Sequence, residues 1–164
     1  MFKTEKEFIG FISNVSGTRV NLINETAYLK PHTIYGMMNE KVKLNITAIM
    51  TLGQVTNVVD ALDKDVAAYI SVFAGRVADT GRDPIPMMQS ALHMMKEKPL
   101  SELIWASPRE LLNIFQADQI GCHIITVTHD ILKKLALVDY DLDKYSLDTV
   151  KMFYSDAVVA GYKL

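Results

Sequence analysis

The sequence predicts an α/β protein built on a parallel sheet. Short apolar runs alternate along the chain with runs of helical period. The short runs are apolar on both faces, as in strands covered from both sides, and turn residues separate them.

Taken in order, Phe8, Phe11, Ile12 and Val15 recur at helical spacing and predict a first helix that stops near Gly17. "RVNLI" (19–23) predicts a strand, and "KPHTIYGMMNE" a helix with Pro31 near its first turn. The unit then repeats. "LNITAIM" (44–50) leads into the helix "LGQVTNVVDAL", and "AAYISVF" (67–73) into a polar loop and the helix "IPMMQSALHMMK". "ELIWA" (102–106) leads into "PRELLNIFQADQ", and "CHIITV" (122–127) into "HDILKKLALV". A last helix over about 146–160 aligns Leu147, Val150, Tyr154, Ala157 and Val158 on one face, with Gly161 as its stop.

Five βα units and a C-terminal helix in a single domain, 1–164, fit a partial (β/α)8 barrel. They also fit a doubly wound open sheet, and the pattern does not choose between the two.

Composition limits the function. A net charge of −2 gives no global case for nucleic acid or an anionic membrane, so any anion site must be local. Apolar runs break before 18 residues and "MFKTEKEF" is no signal peptide, which predicts a cytoplasmic location with no membrane partner. The single cysteine, Cys122, rules out an internal disulfide and reads as a buried thiol. His32, His93, His123 and His129 lack metal-ligand spacing, so no metal is expected. Nucleotide-loop, zinc-protease and nucleophile-elbow motifs are absent, and no cofactor is implied.

In parallel α/β folds chemistry gathers at the carboxyl ends of strands. Those ends hold Asn24 and Glu25; Thr47 and Thr51; Ser71, Phe73 and Arg76; Ser107 and Arg109; Thr128 and His129. Two of them, "SVFAGR" and "ASPRE", place an arginine beside small or hydroxyl residues. A guanidinium fork suits phosphate, and Ser107 as a helix cap would add free backbone N–H groups to the same space. The competing reading pairs Arg76 with Asp79 or Asp83 and Arg109 with Glu110.

"VKLNITAIMTLGQV", "YISVFAGRVADTGRDP", "IWASPREL" and "IGCHIITVTHDILKKL", in this order, resemble the second half of transaldolases, particularly the short fructose-6-phosphate aldolase-like kind. The resemblance implies a class I aldolase barrel, a Schiff base between a fourth-strand lysine and a ketose, and transfer or release of a dihydroxyacetone unit. It assigns Asn45, Thr47, Ser71 and Phe73 to the sugar, and Arg76, Ser107 and Arg109 to its phosphate.

The family's first three strands have no counterpart, and Arg19 stands at the lysine position. A Schiff base needs a neutral amine, whereas a guanidinium stays protonated, so the chain is expected to be N-terminally truncated and inactive. Lys30 and Lys43 are poorly placed substitutes. Open sheet edges predict self-association. The alternative is a non-catalytic α/β module that binds a phosphorylated metabolite or a protein.

Overall fold

The computed structural model describes the strand at residues 20–23 and then residues 36–162; for 20–23 the backbone alone is described. The predicted first helix, Pro31, and the residues Arg19, Asn24, Glu25 and Lys30 lie outside the described residues. The chain divides into two compact units between Thr128 and His129.

The unit ending at Thr128 carries a parallel sheet of five strands, β1 (Val20–Ile23), β2 (Leu44–Ile49), β3 (Ala68–Val72), β4 (Ser101–Trp105) and β5 (Ile124–Ile125). They lie side by side in chain order. A doubly wound sheet reverses its strand order at a switch point, and none occurs among the described strands. The order is that of an arc of a (β/α)8 barrel, which decides the question that the sequence pattern leaves open.

The helices between the strands are α1 (Leu52–Ala61), α2 (Ala74–Asp79), α3 (Ile85–Met94) and α4 (Leu112–Gln119). Thr51 caps α1: its Oγ accepts from the Gln54 N–H while the Gln54 side chain accepts from the Thr51 N–H. That strand-end hydroxyl is therefore committed to the helix. Asp83 accepts from the Ile85 N–H and fixes the turn into α3.

Register divides the sheet into two faces. Leu44, Ile46, Ala68, Ile70, Val72, Leu103 and Trp105 form the core with Val55, Val58, Met88 and Ala91 of the helices. Asn45 and Tyr69 alternate to the other face, and their register partner on β4 is Glu102. Further along that face Ser71 is in register with Ile104. One face is thus covered and apolar apart from Ser101, which is in register with Ala68, and the other carries Asn45, Ser71 and Glu102.

Within this unit three sequence expectations change. The polar loop after 67–73 is a helix, α2: "AGRVAD" winds for six residues, too few to show an apolar period. The helix predicted to begin near Pro108 begins at Leu112, because Ser107 takes φ 61°, a left-handed turn that stops a helix from starting there. The strand predicted at 122–127 shrinks to two residues, since the Nδ1 of His123 takes the Leu103 N–H at 3.0 Å in place of a ladder carbonyl.

The second unit holds α5 (His129–Lys133), a 3-10 turn (Lys134–Leu137) and α6 (Leu142–Val159). Asp141 caps α6 by accepting from the Lys144 N–H, so the helix starts earlier than the 146 expected. Leu147, Val150, Tyr154 and Val158, the apolar face read from the sequence, are exposed, as is Phe153. No described helix is long and apolar enough to cross a membrane.

Candidate functional site

The site is built where β2, β3 and β4 end. Backbone bonds continue past the strands, with the Phe73 N–H on the Ile49 carbonyl and the Ala106 N–H on the Val72 carbonyl, both at 2.8 Å. The ends are thereby held level.

On the polar face, Ser71 Oγ donates to Asn45 Oδ1 at 2.9 Å, joining two predicted sugar contacts across neighbouring strands. Ser71 is only 4% exposed, so the bond also satisfies a hydroxyl that burial would otherwise leave unpaired. Thr47 sits at a break in register between Ile46 and Ile49, where Ala48 has φ 63°. Such a bulge bends the strand and re-aims its side chains at the sheet's end.

The two arginines are brought together by a glycine. A Cβ added to Gly75 would lie 1.5 Å from the Ser107 carbonyl oxygen and 3.3 Å from Arg109 Cγ. Only a residue without a side chain allows the start of α2 to touch the turn after β4. The Gly75 N–H also reaches the Ala106 carbonyl at 3.4 Å. Arg109 therefore runs past the residue next to Arg76, and the charges of both arginines, from segments about thirty residues apart in sequence, act on the one Asp79 carboxylate.

The partners of these arginines differ from both simple salt-bridge pairings. Arg109, not Arg76, takes Asp79: its Nε lies 3.0 and 3.1 Å from the two carboxylate oxygens, and Nη2 donates to Oδ2 as well. Glu110 is not the partner of Arg109. Arg76 stacks over the Phe73 ring, 5.4 Å from its centroid, and makes no ion pair among the described residues. No hydrogen bond from its guanidinium occurs among the described residues, so its N–H donors are uncommitted there. The Arg109 hydrogen bond holds the Asp79 carboxyl below the ordinary aspartate range, and the nearby charges of Arg109 and Arg76 add to that lowering.

Ser107 does not cap α4. Asn113, 8% exposed, does the local work: its Oδ1 accepts from the Arg109 N–H at 2.8 Å and the Glu110 N–H at 3.2 Å, and its amide donates to Gln116. The turn "SPREL" is thus pinned by an asparagine four residues past the arginine it carries. Sequence reasoning missed Gly75, Asp79 and Asn113 as site-builders. An Asn four residues past Arg109 was the one local signal; the other two depend on contacts across the fold.

Cys122 is half-buried, with its Sγ 3.4 Å from the Ile124 carbonyl and 3.5 Å from that of Leu103. Burial pushes its thiol above the ordinary range, which makes it a poor nucleophile. Among the described residues no three His, Cys, Asp or Glu side chains converge as a metal site would require.

The arrangement defines an α/β protein of barrel type, with a polar sheet face that leads into paired arginines at adjacent strand ends. Comparison with known proteins gives the class a family. The family model for Transaldolase/Fructose-6-phosphate aldolase matches residues 32–160, and the chain belongs to this family.

Among similar proteins is a "Probable transaldolase" of Clostridium acetobutylicum, 29% identical over 121 residues, which are 71% of this chain and 54% of that protein. Another, from Desulforamulus reducens and of the same name, is 30% identical over 119 residues, 70% of this chain and 53% of its own length. A third, from Clostridium botulinum, is 30% identical over 121 residues. The chain spans about half the length of the curated relatives it matches.

Proposed function

We propose that this chain binds a phosphorylated sugar, with Arg76, Ser107 and Arg109 around the phosphate and Asn45, Thr47, Ser71 and Phe73 along the carbon chain. The contact of Gly75 with Ser107 carries the reading. It gathers the arginines of two strand ends at one place, next to the face that bears the Asn45 and Ser71 pair. Two guanidinium groups against one carboxylate leave that place net positive, as a phosphate monoester requires.

The parent reaction is Schiff-base transfer or aldol cleavage of a dihydroxyacetone unit. This chain alone does not perform it, because Arg19 stands where the resemblance places the lysine and a guanidinium cannot supply a neutral amine. The protein is cytoplasmic and corresponds to the later strands of the barrel. The exposed apolar side chains of α6 favour self-association, and they equally support the second reading, a non-catalytic module that docks a protein.

Borohydride reduction in the presence of fructose 6-phosphate, read by intact mass, tests the inactive state. The expected result is an unmodified chain that nonetheless binds the sugar phosphate. A covalent adduct on any lysine overturns the loss of Schiff-base chemistry.

A further inference from the structure

We propose that Asp79 is the positioning residue of the phosphosugar site: by holding the side edge of the Arg109 guanidinium, it presents the terminal edge to the phosphate. The inference rests on the reading of Arg76 and Arg109 as the phosphate site.

A carboxylate beside an anion site can act in opposite ways. It can occupy the anion's place and compete with it, or it can anchor the arginine and aim it. The edge it uses decides. A guanidinium has five N–H donors, one on Nε and two on each Nη. Asp79 takes the Nε–H and one hydrogen of Nη2. Both Nη1 hydrogens and the remaining Nη2 hydrogen stay unused by that contact, and together they form the terminal fork that binds phosphate bidentately.

The rest of Arg109 is already fixed. Its backbone N–H is bound by Asn113, and its stem passes the bare Cα of Gly75. With both ends of a long side chain restrained, little rotamer freedom is left to lose when an anion arrives. Asp79 ends α2, three residues after Arg76, so one short helix supplies both the free guanidinium and the anchor of the other. Arg76 has the Phe73 ring in the corresponding place. The two forks are held by different chemistry, an aromatic face for one and a carboxylate for the other.

A double-mutant cycle on the full chain tests this, with fructose 6-phosphate as the titrant. Asp79→Asn removes a negative charge next to the ligand and raises affinity on that ground alone, so the informative quantity is what Arg109→Ala costs in each background. Loss of Arg109 is expected to lower affinity about tenfold or more when Asp79 is present. In the Asp79→Asn background the same change is expected to cost less than about threefold, because an unanchored guanidinium contributes little. An equal or larger cost there makes Asp79 a competitor or a bystander and overturns the proposal.

The 15N resonance of the Arg109 Nε–H is a second readout. It is expected to stay in place on ligand addition while the Nη signals move, and displacement of the Nε partner by ligand overturns the proposal. If the wild-type chain does not bind fructose 6-phosphate at all, the site reading falls and this inference falls with it. Binding that depends on Arg76 and Arg109 but shows no coupling to Asp79 overturns the inference alone.

Discussion

The ends of β3 and β4 each carry an arginine, yet they are built in contrasting ways. At the β3 end the backbone passes directly into α2, and Arg76 lies exposed over an aromatic ring with its donors uncommitted among the described residues. At the β4 end the backbone makes a left-handed turn at Ser107, is pinned by Asn113, and delivers an arginine whose side edge is already bonded to Asp79. One end is simple and its charge is free. The other is heavily braced and its charge is oriented. A site that must hold a phosphate and also fix its angle gains from having one of each, since a free cation supplies attraction and a braced fork supplies direction.

The contrast breaks most severely at Gly75. Its replacement by alanine forces a Cβ into the Ser107 carbonyl, a backbone atom that cannot swing away. Gly75→Ala is expected to reach or exceed the upper end of the roughly 1–3 kcal/mol cost of overpacking. Urea denaturation followed by circular dichroism should show a clearly lower midpoint. An unchanged midpoint would mean that the strand ends do not touch as described.

Asn113→Ala attacks the braced end alone. It removes the acceptor for the Arg109 and Glu110 N–H groups, a loss of about 1–3 kcal/mol for partly buried donors. Amide hydrogen exchange should quicken at residues 109 and 110 and stay unchanged in α2. Equal quickening at both ends would show that they are one rigid piece.

The smallest effect is electrostatic. The Asp79 carboxyl lies below the usual aspartate value of about 3.9, so whatever its pair with Arg109 contributes is fully present above that value. That contribution disappears as the pH falls through the lower folded-state value. A carbon-detected titration should place the Asp79 midpoint below the unfolded one, and Arg109→Ala should raise it. No upward movement in that variant would detach the carboxylate from Arg109.

Much of the scaffold was legible in the sequence, and the reason is local. The runs 44–50, 67–73 and 102–106 become Leu44–Ile49, Ala68–Val72 and Ser101–Trp105, because apolar runs bounded by turn residues encode strands without help from distant contacts. The strand-end arginines followed from the same pattern. What holds them did not. The bond from Arg109 to Asp79 spans thirty residues, and the close approach of the Ser107 carbonyl to α2 is possible only because another segment has a glycine there. Asp79 was read as a partner for Arg76 because sequence proximity favoured it, while geometry gave it to Arg109. The apolar face of α6 was read correctly as a pattern, but a pattern states only that a face is apolar and not that anything covers it.

The central claim is that these strand ends bind the phosphate of a sugar, and calorimetric titration of the wild-type chain and the Arg76→Ala variant with fructose 6-phosphate and with fructose tests it most directly. The account predicts binding of the phosphorylated sugar only, weakened about tenfold or more when Arg76 is removed. Equal affinity for both sugars, or an affinity for fructose 6-phosphate that Arg76→Ala leaves unchanged, would contradict it.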